Sequence, residues 1–231
     1  MTSSCSADAA CTGGPGAWQT SVSIRRRGRI SERLTRVYRV LGIAAPPIAV
    51  VMVFVAGALS PGYDAVSRTV SRLAVPGMPA ATMIDAAIGL IALACFGLAL
   101  ALARGSSIGR MALAVSGGAF LAAAFVHLDP ASAGATAMHR LASALAVVGL
   151  TVAPLALARA YGPVSFAVGV AELAMLVIGL GLLATSFDAW GAWERLLLAI
   201  PLTWMVLIGV TIDSTDETIS AKSASLSRSG S

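Results

Sequence analysis

The chain has 231 residues, 57% of them hydrophobic and only 12% charged, with a mean hydropathy of +0.85. A soluble domain carries about twice that charged fraction, so a water-soluble core is excluded and a polytopic membrane protein is indicated. The net charge of +5 is unevenly spread: 15 of the 16 basic residues are Arg, and 7 of them lie between Arg25 and Arg39.

Residues 1–24 are Ser/Ala/Gly-rich, contain Cys5 and Cys11, and are expected to be disordered. The basic run "RRRGRISERLTRVYR" follows. In a soluble protein it would point to nucleic acid. Directly before an apolar stretch it reads as a topogenic segment lying against anionic lipid on the cytoplasmic side, and no nucleic-acid partner is expected. The apolar stretch is long enough to span and lacks a small-residue cleavage site, so a signal anchor is expected. With no CxxC, and with Cys95 deep in an apolar run, the cysteines point to no chemistry.

Crossing a hydrocarbon core of about 30 Å takes about 20 helical residues. Six stretches qualify, at 38–60, 81–103, 109–128, 139–159, 164–186 and 194–213. Short connectors between them force antiparallel neighbours. The expected fold is therefore all-α: a six-helix transmembrane bundle over 38–213, a disordered basic leader at 1–37 and a disordered polar tail at 214–231. With the N-terminus in the cytoplasm, inner segments hold 12 Arg/Lys and outer ones 4, which places both termini inside. Without the leader the count is 5 against 4, so the leader dominates that assignment.

Pro46, Pro47, Pro154 and Pro201 fall inside spans and are expected to kink them. Ala114, Gly118 and Ala122 form a small-residue stripe expected to admit a neighbouring backbone. No internal repeat of the transporter kind is visible.

With that orientation the polar residues gather at the outer face. The first outer loop, "SPGYDAVSRTVSRLAVPGMPA", repeats Ser-Arg at a spacing of four. On a helical turn Ser67 would share a face with Ser71, and Arg68 with Arg72, so a short interfacial helix at about 63–74 is expected. Its two readings are a surface helix touching lipid phosphates and the wall of a binding pocket. "FVHLDPASAGATAMHR" holds both histidines; His127, Asp129 and His139 are ligand types suited to zinc, with Asp85 as a fourth ligand or an orienting carboxylate. Their spacing fits no established metal motif. The competing structural reading makes Asp129-Pro130 a turn and puts His139 and Arg140 at the start of span four.

Glu172 lies near the middle of span five, where a carboxylate costs about 3 kcal/mol unless protonated, paired or hydrated. "FDAWGAWERLLLAIPLTW" sets Glu194 and Arg195 at the mouth of span six. Glu194 suits a helix N-terminus; Arg195 does not, and is expected to pair with Asp85, Asp64 or a lipid phosphate. No GxSxG, HExxH, P-loop or dinucleotide fingerprint occurs.

Taken together, "SPGYDAVSRTVSRLAVPGMPAA", the Asp and His of "LDPASAGATAMHRLASALAVV", and "GAWERLLLAIPLTW" resemble the DUF998 family of prokaryotic multi-pass membrane proteins, over about residues 40–213. By matching position the resemblance implicates Gly62, Tyr63, Ser71, Asp129, His139, Glu194 and Arg195. The family tends to place an acid where this chain has Arg72, which argues against a metal or proton ligand there.

The residues support a membrane protein whose extracytoplasmic vestibule binds a lipid headgroup, a small ligand or a partner through Tyr63, Ser71, Arg72, Asp85, Asp129, His139, Glu194 and Arg195. Two alternatives stand beside it: a metal-dependent intramembrane hydrolase or lipid-modifying enzyme, and a proton-coupled transporter using Glu172. Expected partners are membrane lipids, with homo-oligomerisation left open; no cofactor is expected outside the zinc alternative. The expected location is a bacterial cytoplasmic membrane.

Overall fold

In hydrocarbon a chain must satisfy its backbone hydrogen bonds internally, and each apolar run does so as an α-helix in the computed structural model. Residues 16–102 and 106–229 are described, with side chains described for 33–102 and 106–211. The helices are α1 (Gly16–Ala58), α2 (Ala81–Ala101), α3 (Ser107–Phe125), α4 (Ala133–Tyr161), α5 (Pro163–Leu182) and α6 (Trp190–Ser229), with a short 3-10 helix at Val70–Ala74. All six α-helices are long and apolar enough to cross a membrane, α1 through Arg33–Ala58 and α6 through Trp190–Thr211. Among the described residues there is no strand. Cys5 and Cys11 lie outside the described residues, as do most side chains of the leader and tail expected to be disordered.

Residues 37–231 form one compact unit. Within it α2 packs on α3, α3 on α4, α4 on α5 and α5 on α6, and α6 also touches α4 and α2. Gly42 of α1 sits against Leu98 of α2 while Ile43 lies against Gly209 of α6, so α1 closes the ring between them. The helix starts follow local chemistry. The Ser132 hydroxyl accepts a hydrogen bond from the Ala135 N–H at 3.2 Å, and this N-cap begins α4 earlier than the expected position 139. Pro163 occupies the first turn of α5, where a missing N–H costs nothing.

Lipid tails are as apolar as leucine, so close van der Waals packing holds such helices together. The buried core is accordingly rich in alanine and leucine from α2, α3 and α4, with Trp204 and Met205 of α6 enclosed beside them. Gly149 of α4 carries the tightest α3–α4 approach: a Cβ there would collide with the Ser116 hydroxyl and lie 2.8 Å from the Ala112 carbonyl. On the other face of α3, Gly117 lies against the Ala92 carbonyl of α2. The expected stripe of Ala114, Gly118 and Ala122 is corrected: Gly118 and Ala122 are exposed, and nothing stands within 4 Å of a Cβ built at Gly118. Outward-facing residues such as Phe125 and Leu180, 76% and 69% exposed, form the apolar coat a bilayer requires.

Replacing Gly149 by Leu is expected to lower stability by about 1–3 kcal/mol through overpacking. Gly118→Leu, projecting into open space, is expected to stay within about 0.5 kcal/mol of the parent. Unfolding of the detergent-solubilised variants, followed by circular dichroism, checks the pair.

Candidate functional site

The connector between α1 and α2 is strapped to the start of α6. Gly62, with φ of 71°, turns the chain out of α1 in a conformation that favours glycine. Asp64 then organises the next turn: its carboxylate accepts hydrogen bonds from the Val66 N–H (3.0 Å), the Ser67 N–H (3.3 Å) and the Ser67 hydroxyl (2.6 Å). These bonds hold the Asp64 carboxyl below its ordinary pKa, the Ser67 hydroxyl contributing most. The expected helix over 63–74 therefore shrinks to the 3-10 turn at Val70–Ala74, because the Asp64 side chain competes for the N–H groups that a helix would use. Ser67 and Ser71 consequently part company, Ser67 to Asp64 and Ser71 to Glu194 at 3.4 Å.

Among the described residues Arg195 pairs with neither Asp85 nor Asp64. Its guanidinium donates to the Ala65 and Gly191 carbonyls at 2.7 Å each, to the Arg68 carbonyl at 3.4 Å and to the Tyr63 hydroxyl at 2.6 Å. Asp85 is engaged elsewhere and Asp64 is used within its own turn. Guanidinium's fork of donors suits a loop whose carbonyls all point one way. The Tyr63 hydroxyl in turn donates a hydrogen bond shared between the Arg68 and Thr69 carbonyls, at 3.0 and 3.1 Å. Burial raises the Tyr63 pKa, against the lowering effect of Arg195, so the phenol stays a neutral donor.

Next to it, Glu194 accepts from the Val70 N–H at 2.5 Å, and the Ala192 N–H donates to the Val66 carbonyl at 2.9 Å. Gly191 permits this contact. A Cβ there would collide with the Arg68 carbonyl and come within 2.6 Å of the Ala65 carbonyl. The Gly-x-x-Glu-Arg element is thus a clasp for the Tyr63 loop.

A second cluster lies between the ends of α2, α3 and α4. His127 Nε2 meets Asp85 Oδ2 at 3.0 Å, both side chains being 29% exposed. Asp129 accepts from the Ala131 N–H at 2.8 Å, shaping the turn before α4, and its own carbonyl accepts from the Thr136 hydroxyl. His139, 2% exposed, faces the Val126 carbonyl through Nδ1 at 2.6 Å, while its Nε2 is buried without a partner. The expected ligand set of His127, Asp129 and His139 is not assembled: each is turned to a separate partner. Among the described residues no three His, Cys, Asp or Glu side chains gather at a point suited to a metal.

His139 and Glu194 bring the two clusters to common ground. Both line a polar cavity of about 680 Å³, together with Ser71, Ser143 and the arginines Arg68, Arg72 and Arg140. Among the described residues none of these three arginines makes an ion pair. Tyr63, Arg195, Asp85 and Asp129 lie outside the lining of this cavity, Tyr63 and Arg195 being bonded to the loop that carries Arg68. Ser143 was not legible as a site residue from its type; its signal is the spacing of four from His139, one turn along α4. Glu172 stands apart on α5, fully buried with neither carboxylate oxygen hydrogen-bonded, on the stripe that also carries Ser165 and Gly169.

Two predictions concern the clasp. Arg195→Lys, which keeps the charge and loses the fork, is expected to cost about 1–3 kcal/mol and to open the 64–69 segment to limited proteolysis. Arg72→Ala is expected to leave that segment protected. The second uses Asp64: a carboxyl whose pKa is depressed by folding stabilises above its ordinary value of 3.8 and loses that contribution as pH falls through the folded pKa. Asp64→Asn is therefore expected to lose stability near neutral pH and to show a flatter acid limb when melting is followed against pH.

No curated protein and no solved structure matches the chain. Residues 43–211, most of the sequence and all but the first part of the bundle, match the family described as "Protein of unknown function (DUF998)". The clasp and the His139 cluster both fall inside that stretch, and the chain belongs to the DUF998 family.

Proposed function

We propose that this integral membrane protein binds an anionic group, a lipid headgroup or small anion, in the polar cavity at the 61–80 end of the bundle. The carrying observation is that Arg68, Arg72 and Arg140 line this cavity with no ion pair among the described residues, together with His139, whose Nε2 is buried without a partner. Glu194 shares the cavity, but its carboxylate is occupied by Val70 and Ser71, so the net field favours an anion. The distribution of Arg supports a bacterial cytoplasmic membrane with both termini inside and this cavity on the extracytoplasmic face. The reading is of a binding protein. Its hydrolase alternative draws no support from the separate engagements of His127, Asp129 and His139.

In bilayer nanodiscs, glycerol 3-phosphate is expected to bind the full chain, and the double variant Arg72→Ala/Arg140→Ala is expected to bind it about tenfold or more weakly, as for loss of charge-assisted contacts. Equal binding by parent and variant would sink this reading. For sidedness, Pro76→Cys in a chain whose Cys5, Cys11 and Cys95 are replaced by Ser is expected to react with a membrane-impermeant thiol reagent in intact cells; labelling only after lysis would reverse the orientation.

One observation favours a second reading, a proton-coupled carrier: Glu172 is enclosed in a span with no partner for either oxygen. Dissipation of a proton gradient in proteoliposomes that Glu172→Gln abolishes would support it, and an unaltered rate in the variant would remove it.

A further inference from the structure

Beneath the polar cavity lies a second one, of about 210 Å³, in the apolar interior. Its walls come from five helices, among them Ala49 and Val53 of α1, Ile91 of α2, Phe120 of α3 and Leu198 of α6. The two cavities share Ser71, His139, Ser143 and Glu194 as lining residues, so these four mark the neck where a cationic chamber adjoins a largely apolar one, which Arg195 also lines. Val50 and Phe54 line the apolar chamber yet are 37% and 66% exposed, so that chamber lies next to the lipid-facing surface of α1.

We infer that the two cavities are one site for a single-chain anionic amphiphile, a monoacyl glycerophosphate in chemical class, with its phosphate among Arg68, Arg72 and Arg140 and its alkyl chain in the apolar chamber. This rests on the anion-binding reading above and deepens it. Three features carry it. The chambers adjoin at four common residues and differ in character, as do the two ends of such a molecule. The apolar chamber has under a third of the polar one's volume and suits one chain better than a diacyl pair. At the neck, His139 Nδ1 faces the Val126 carbonyl, which can only accept; the tautomer with its proton there leaves Nε2 as an acceptor, for which a hydroxyl such as the free one of a monoacyl glycerol backbone is the complement. A buried acceptor left unmatched is costly, so a ligand that supplies the donor gains at that point.

The test compares three probes on the full chain in nanodiscs, read by native mass spectrometry: 1-palmitoyl glycerol 3-phosphate, glycerol 3-phosphate, and monopalmitoyl glycerol, which lacks the phosphate. The palmitoyl phosphate is expected to bind about tenfold or more tightly than either of the others, since each buried methylene and each charged contact contributes separately. Val53→Trp, filling the apolar chamber, is expected to reduce the palmitoyl phosphate to the affinity of glycerol 3-phosphate while leaving the latter unchanged, which also shows that the variant is folded. Equal binding of glycerol 3-phosphate and its palmitoyl ester by the parent overturns the amphiphile and leaves the anion site standing. Equal binding of the palmitoyl phosphate and monopalmitoyl glycerol overturns both, as does binding of none of the probes. Independently of any variant, a photoreactive group at the chain terminus is expected to label the α2 and α3 segments around Ile91 and Phe120; labelling confined to lipid-facing residues such as Leu141 and Val177 overturns the placement of the chain.

Discussion

One guanidinium organises the polar end of this bundle. A loop that leaves α1, crosses to α2 and carries most of its polar groups near a membrane surface would ordinarily be held by its own turns. Here its carbonyls at Ala65 and Arg68 are gathered, with that of Gly191, onto Arg195, and the Tyr63 hydroxyl completes the set. All the acceptors are neutral. A charge bound by dipoles in this way needs no counter-ion, so no carboxylate is consumed; Glu194 is left to take the Val70 N–H and the Ser71 hydroxyl instead. At the cavity wall Arg68, Arg72 and Arg140 outnumber the single carboxylate, Glu194.

The six spans were legible because apolar length is a property of the chain itself, and each expected span overlaps its helix. The partners of Arg195 were not legible, because backbone carbonyls carry no residue signature; charge arithmetic sends an arginine to an acid, and only the fold shows carbonyls converging. The close helix contacts failed for a different reason. Gly117 and Gly118 are neighbours, about 100° apart around the axis, and in a helix so rich in small residues the sequence offers two stripes of almost equal merit. Burial selects Gly117. The histidines were read correctly as placed near the same end, yet their ring nitrogens answer to Asp85 and to the Val126 carbonyl, contacts set by where α3 stops.

The family resemblance singled out Gly62, Tyr63, Ser71, Asp129, His139, Glu194 and Arg195, and the structure sorts them by task. Tyr63, Glu194 and Arg195 tie the loop to α6, with Gly62 turning the chain into it and Ser71 joining at Glu194. Asp129 shapes the approach to α4. Of the seven, His139 alone keeps a buried polar atom without a hydrogen-bond partner. A motif that looks like a site in sequence is here mostly the frame around one.

The pairing of α3 with α4 is unequal in a way that bears on the surrounding lipid. At 1.5 Å per residue the 19 residues of α3 rise about 28 Å and the 29 of α4 about 44 Å, against a hydrocarbon thickness of about 30 Å. The shorter helix ends beside the longer one's second turn, where the Val126 carbonyl meets His139. Hydrophobic mismatch therefore acts on the two neighbours in opposite senses: a thicker bilayer covers the overhang of α4 and draws on the end of α3, and a thinner one relieves α3 and tilts α4. The hydrogen bond that orients His139 sits at the junction where those displacements differ.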